Sequence, residues 1–206
     1  MKIAYYTGWA LTRAISSLIF RIRIYGREHI PPSGGFILAS NHVSYFDPPL
    51  VGSWSTRQMY FLAKKELFKN PLFGGVIRRT NALPVKRGAI DREGLKLCTD
   101  VINAGYGLVV FPEGTRSRTQ QFLDPKPGIG LLAKSVQCPI VPTYLHGSNR
   151  PWNVFLGRER MAIVFGQPIT SDWVATVDKG REGYLAISTE VMKRIAALRA
   201  DFLQQR

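Results

Sequence analysis

A histidine that directly follows a short apolar run, with an aspartate five positions on, is the first pair of residues able to do chemistry. The run is Phe36–Ser40, and Asn41-His42-Val43-Ser44-Tyr45-Phe46-Asp47 comes straight after it. Across a strand-to-helix turn the carboxylate can bond one ring nitrogen, fix the tautomer and stabilise the imidazolium. The other nitrogen is then free to act as a general base. This is the base and orienter of a triad. Neither Ser40 nor Ser44 stands in a G-x-S-x-G elbow, so the attacking hydroxyl is expected from a substrate. A His-x4-Asp spacing by itself is more often a cap or a surface contact, so its weight depends on what accompanies it.

A second cluster, Phe111-Pro112-Glu113-Gly114-Thr115-Arg116-Ser117-Arg118, follows another apolar run at Leu108–Phe111. Gly114 permits dihedrals closed to other residues. Arginine grips phosphate bidentately, and Glu113 is an acceptor for substrate hydroxyls. The bland alternative is a charged solvent loop with an internal ion pair. Arg87 ends a predicted strand and so could point into the same mouth. Lys126-Pro127-Gly128 reads as a turn opening a helix, and Val141-Pro142-Thr143 as a turn-flanked edge strand.

These residues need elements to hold them. Period-two patterning at Phe20–Gly26 predicts a strand with Ile22 and Ile24 inward and Arg21 and Arg23 outward. Strands are also predicted at Phe36–Ser40, Met59–Ala63, Ala82–Lys86, Leu108–Phe111, Ile140–Leu145 and Met161–Phe165. Pro84 marks the fourth as an edge or a bulge. Helices are predicted from Pro48 to about Trp54, briefly over Lys64–Lys69, then at Pro71–Arg79, Asp91–Asn103 and Gly128–Val136. Tyr184, Ile187, Val191, Ile195, Leu198 and Phe202 recur at helical steps, so an amphipathic helix is expected near the C-terminus. Strands alternating with helices indicate one α/β domain with a mixed, partly parallel sheet flanked by helices. In such sheets ligands gather beyond the carboxyl ends of strands, where both polar clusters lie.

Twenty-eight Lys+Arg against fourteen Asp+Glu give a net charge of +14. Such a surface seeks polyanions, whether nucleic acid, anionic headgroups or acidic substrates. No recognition helix or aromatic-basic module is present, which speaks against nucleic acid as a partner. Cys98 and Cys138 have no metal-binding spacing and read as core thiols. Nothing requires an oxidising compartment. Residues 1–20 are apolar but interrupted by Arg13, which suits neither a spanning helix nor a secretory signal. On a helical projection Ala4, Leu11, Ile15 and Leu18 share one side, and Arg13, Ser16 and Ser17 another. That pattern, with aromatics near its start, predicts an amphipathic membrane-interface helix ahead of a catalytic domain over residues 21–206. A helix packed on the protein's own core is the alternative.

Taken together, the clusters resemble the glycerolipid acyltransferase family, which includes the 1-acyl-sn-glycerol-3-phosphate acyltransferases. Asn41, His42 and Asp47 match its Asn-His-x4-Asp motif. Phe111 to Ser117 match Phe-Pro-Glu-Gly-Thr-Arg-Ser residue for residue. Leu83-Pro84-Val85-Lys86-Arg87, Lys126 with Gly128, and Val141-Pro142 match the remaining motifs, the first of these more loosely. The resemblance runs from about Tyr25 to Gly166. It implies acyl transfer to the free sn-2 hydroxyl of 1-acyl-sn-glycerol 3-phosphate, with His42 as base and Asp47 as its orienter. Glu113 and Gly114 would position the glycerol backbone, and Arg116 and Arg87 would hold the phosphate. Lys126 or a backbone N–H near Gly114 would face the oxyanion. Acyl-CoA or acyl carrier protein is implied as co-substrate, with no metal and no resident cofactor. The expected location is peripheral, on the cytoplasmic face of the cell membrane against anionic lipids. Other acceptors remain open, among them glycerol 3-phosphate and a lyso-ornithine lipid. From other classes there remain a basic nucleic-acid-binding protein and a membrane scaffold with a dead site.

Overall fold

Three runs are too apolar to lie anywhere but inside. Phe36–Ser40 (β2), Gly107–Val110 (β5) and Ile140–His146 (β6) are buried at every position, as strands covered by helices on both faces must be. The computed structural model describes residues 2–85, 92–119 and 121–205. It adds strands Arg23–Tyr25 (β1), Met59–Lys64 (β3), Ala82–Val85 (β4) and Ala162–Phe165 (β7). The seven form one sheet in the order β1-β7-β6-β2-β5-β3-β4. Only β6 and β7 are antiparallel; every other neighbouring pair is parallel.

The helices are Lys2–Leu18 (α1), Asp47–Trp54 (α2), Pro71–Arg79 (α3), Arg92–Asn103 (α4), Gly128–Val136 (α5), Pro151–Phe155 (α6), Ser171–Thr176 (α7) and Arg181–Gln204 (α8). Alternation along the strands sends side chains to two cores. Ile37, Ala39, Leu108 and Val110 meet Cys98 and Ile102 of α4, Leu132 of α5, and Ile187, Val191 and Ile195 of α8. Phe36, Leu38, Val109 and Val141 meet Leu50 and Val51 of α2 and Val154 of α6, with α1 laid against α2. Cys98 and Cys138 are buried and unpaired, and burial pushes both thiols up to about 12.

The expected elements recur with ends shifted by a residue or a few. Helices α6 and α7 were not anticipated: five and six residues are too few to show a helical period. Pro84 lies on edge strand β4, as its missing N–H demands. Val141-Pro142-Thr143 overturns the edge-strand reading, because β6 lies between β2 and β7. The ladder to β7 begins at Thr143↔Phe165, one residue beyond the proline. Pro142 also still offers its carbonyl to the Gly166 N–H at 2.8 Å. A central strand therefore tolerates it without a broken ladder bond.

Helix α1 turns Arg13 and Ser16 of its polar side inward and leaves Ser17 outside. Arg13 donates from Nε to the Ser53 carbonyl at 2.6 Å and from Nη2 to the Ser55 carbonyl at 3.3 Å. Its guanidinium also stacks on Trp9 and Trp54. Burial lowers the Arg13 pKa to about 10, helped by the charge of Arg27. The Ser16 hydroxyl accepts from Trp54 Nε1, and the Tyr5 hydroxyl from the Met59 N–H. Outside lie Leu11, Ile15 and, most openly, Ile3 (84% exposed) and Leu18 (81%). The packing of Arg13, Ser16 and Tyr5 is what the alternative, a helix laid on the protein's own core, expects. One side packs on the protein, and the apolar side is left facing out. Among the described residues no helix is long and apolar enough to cross a membrane.

Candidate active site

β2 and β5 are adjacent and parallel, so the clusters that follow them meet at one end of the sheet. At the end of β2 the Asn41 amide donates to the Leu145 carbonyl at 3.0 Å and accepts from its N–H at 2.8 Å. These two hydrogen bonds pin the start of the turn to β6. The chain then swings outward and returns at Asp47, the first residue of α2.

Asp47 is fully buried, and its carboxylate gathers four donors. Oδ2 accepts from His42 Nδ1 at 2.8 Å, from the Val43 N–H at 2.7 Å and from the Ser44 N–H at 2.7 Å. Oδ1 accepts from the Ser148 hydroxyl at 2.6 Å. Four is about the acceptor capacity of a carboxylate, so this one has a single orientation. An acceptor on Nδ1 fixes the proton there and leaves Nε2 unprotonated in the neutral ring. The imidazole is held flat as well. It stacks on Phe111, with ring centroids 3.9 Å apart and planes 17° apart, and its side chain remains 16% exposed.

Glu113 was expected to meet acceptor hydroxyls. It is instead 1% exposed, with Oε1 accepting from the His42 N–H at 3.0 Å and Oε2 from the Leu123 N–H at 2.9 Å. Burial pushes its carboxyl above the usual range, against the pull of those two N–H groups. The side chain ties the two strand-end loops together beneath the mouth. A further tie is the Ser117 N–H donating to the His42 carbonyl at 2.8 Å. Gly114 turns at φ +67, and a Cβ there would press on the Lys126 stem at 3.3 Å. The Lys126 N–H donates to the Pro112 carbonyl at 2.8 Å, which brings this exposed lysine to the same turn. Arg116 lies with its guanidinium carbon 3.4 Å from the centroid of the Tyr45 ring, joining the two clusters at the surface. Arg87 lies outside the described residues.

The tertiary structure thus collects His42, Asp47, Glu113, Gly114, Arg116 and Lys126 around one turn-and-strand end. Residues 21–146, which hold both strand-end clusters, match the family model described as Acyltransferase. The chain belongs to the acyltransferase family. A 1-acyl-sn-glycerol-3-phosphate acyltransferase of Bacillus subtilis is 28% identical to it over 184 residues, 88% of this chain and 89% of that protein. One from Streptococcus pneumoniae is 33% identical over 152 residues, 71% of this chain and 55% of that protein. The crystal structure of the 1-acyl-sn-glycerophosphate (LPA) acyltransferase PlsC from Thermotoga maritima has a TM-score of 0.72 and 25% identity to it. That match covers 95% of this chain and 80% of that one.

Within this acyltransferase, sequence reasoning missed Ser148 and the stacking of Phe111. Ser148 had one signal to offer: it follows β6, so it lies at the end of a strand neighbouring β2. The arrangement as a whole presents one unprotonated ring nitrogen at a partly open mouth, with Arg116 and Lys126 nearby. Such a nitrogen can take a proton from a hydroxyl placed within hydrogen-bond reach.

Proposed function

We propose that the protein transfers a fatty acyl chain from a thioester donor to the sn-2 hydroxyl of 1-acyl-sn-glycerol 3-phosphate, giving phosphatidic acid for phospholipid synthesis. The 2.8 Å contact between His42 Nδ1 and Asp47 Oδ2 carries this reading, and the names of the relatives supply the acceptor. The acceptor hydroxyl gives its proton to His42 Nε2 as its oxygen attacks the thioester carbonyl. The tetrahedral adduct then collapses, the C–S bond breaks, and the departing thiolate takes the proton back from the imidazolium. Asp47 stabilises the imidazolium between the two transfers. No residue of the chain becomes acylated. Arg116 engages the acceptor phosphate, together with Arg87, and Lys126 faces the developing oxyanion, the position where preorganised charge contributes most. The donor is acyl-CoA or acyl carrier protein.

The same reading places the protein peripherally on the cytoplasmic face of the membrane. The outward Ile3, Leu11, Ile15 and Leu18 of α1 would sit at the acyl–headgroup boundary. The +14 charge would add attraction to anionic headgroups, about 1 kcal/mol per basic residue near the surface.

The test is His42→Ala with mass-spectrometric product analysis over lysophosphatidic acid, glycerol 3-phosphate and lyso-ornithine lipid. Turnover should fall on the order of 10²–10⁴-fold with an unchanged melting temperature, and wild type should prefer the lysophosphatidic acid. Near-normal activity in the variant would sink the base assignment. Preference for another acceptor would redirect the substrate alone.

A further inference from the structure

The hairpin that joins β6 to β7 carries a bare apolar face beside the dyad. Its tip is α6, held from inside by Val154, which packs with Leu50 and Val51 of α2. Backbone bonds close the turn, among them the Leu156 N–H to the Trp152 carbonyl at 3.0 Å and the Arg158 N–H to the Asn153 carbonyl at 2.8 Å. At its base Glu159 Oε1 lies 3.4 Å from His146 Nε2, and Oε2 lies 3.9 Å from Arg150 Nη1. On this fixed frame Trp152 is 76% exposed, and Phe155 and Leu156 are each more than half exposed. The two aromatic rings meet edge to face with centroids 6.3 Å apart. Three large apolar side chains on one short turn form a patch that a surface meeting only water rarely carries.

The hairpin's charges are nearly all positive. Between β6 and β7 stand Arg150, Arg158 and Arg160 and a single carboxylate, Glu159, which is paired inward. The Arg23 N–H donates to the Met161 carbonyl at 3.0 Å, so β1 starts where the hairpin returns. Exposed Arg21 and Arg23 therefore stand between the bare end of α1 at Leu18 and exposed Arg158 and Arg160. Apolar and aromatic side chains ringed by arginines fit an anionic bilayer surface. The first enter the acyl–headgroup boundary and the second meet the headgroups. A bilayer is also broad enough to meet α1 and α6 at once. The patch is close to the chemistry as well. Ser148 holds Asp47 at 2.6 Å, and the chain from Ser148 to Trp152 spans at most about 14 Å. In the dyad turn Tyr45 and Phe46 are exposed too. Resting on the acyl-transfer reading for its lipid acceptor, we propose that α6 is a second membrane contact, at the mouth of the site. Trp152, Phe155 and Leu156 insert into the bilayer boundary, and Arg158 and Arg160 bind its anionic headgroups. α1 holds the protein to the membrane; α6 turns the dyad toward it, so that a lysolipid reaches His42 without passing through water.

The test uses the full chain carrying Trp152→Ser, Phe155→Ser and Leu156→Ser together, and separately Arg158→Gln with Arg160→Gln. The arginine pair is exposed, so its double variant keeps the fold if the apolar triple does not. Binding is measured to phosphatidylcholine vesicles with and without phosphatidylglycerol. The triple variant should bind both kinds at least roughly tenfold more weakly, because each apolar side chain kept out of the bilayer forfeits its burial. The arginine variant should lose roughly fivefold per residue, on the anionic vesicles alone. In both, KM for a long-chain acceptor presented in anionic vesicles should rise, while kcat/KM for a dispersed short-chain acceptor stays at the wild-type value. Lipids brominated in the acyl chain should quench wild-type fluorescence more than that of Trp152→Phe, which keeps the other tryptophans. Unchanged vesicle binding, or equal quenching with and without Trp152, refutes the contact. An equal loss with the dispersed acceptor assigns the patch to the reacting site, and a loss confined to acyl carrier protein thioester assigns it to a protein partner; either overturns the proposal. If wild type acylates no lysophospholipid while the variants still lose vesicle binding, the acyl-transfer reading falls and the membrane contact stands.

Discussion

The turn at residues 41–47 and helix α1 both send polar side chains into the molecule, but they leave different things outside. In the turn, Asp47 is buried under four donors, and what remains at the surface is one edge of the His42 ring. In α1, Ser16 is buried and Arg13 half-buried against α2 and its end, and what remains includes a row of bare apolar side chains. The first leaves a reactive polar atom framed by satisfied groups. The second leaves a surface that water does not favour, on a helix firmly held by its other side. Inward polarity therefore has no single meaning. Its consequence depends on which face it frees and what that face can meet.

Asp47→Asn should break the first half of this contrast most severely. The amide N–H₂ cannot accept from the donors around it, so kcat should drop on the order of 10²–10⁴-fold, read in steady-state assays alongside a melting curve. For the second half, Leu11→Glu with Ile15→Glu should weaken binding to anionic vesicles by well over tenfold. Each apolar side chain kept from burial forfeits about 1.5–3 kcal/mol. Turnover of a dispersed short-chain acceptor should be spared. Unchanged vesicle sedimentation would place the anchor elsewhere. Deleting residues 1–19 is a blunter probe, because it also strips Tyr5 and Arg13 from the protein's own packing.

Arg13→Ala tests the inner side of α1. It leaves the Ser53 and Ser55 carbonyls unpaired and should cost about 1–3 kcal/mol of stability, seen in urea unfolding, with kcat retained. Ser148→Ala removes one of Asp47's four donors and should lower kcat roughly tenfold, for a bond worth about 1–1.5 kcal/mol, without moving either KM. Glu113 gives the smallest effect, readable as a sign. Its folded pKa is raised by burial, so its contribution to stability is full below the unfolded carboxylate range. That contribution is lost as pH rises through the folded pKa. The stability gap between wild type and Glu113→Gln should therefore narrow with rising pH. A gap that widened would mean the N–H donors of His42 and Leu123 outweigh burial.

How much could be read in advance tracks sequence separation. The two dyad residues are five positions apart, and their geometry follows from a strand ending where a helix begins. Both strand-end clusters, the strands that carry them and the long amphipathic α8 were legible in the period of their apolar residues. The reach of Ser148 to Asp47 spans 101 positions, and that of Leu145 to Asn41 spans 104. No local pattern encodes such pairings.

By itself, then, the sequence determined which residues could act, which of the longer segments were strand or helix, and that α1 has two unlike faces. Only the tertiary structure decided that Arg13 and Ser16 of α1 point inward, that Pro142 sits in a central strand, and that Glu113 ties loops together beneath the mouth. The physical reason is common to all three. Periodicity fixes the direction of a side chain relative to its own element. What lies in that direction is set by which distant element the sheet order brings there.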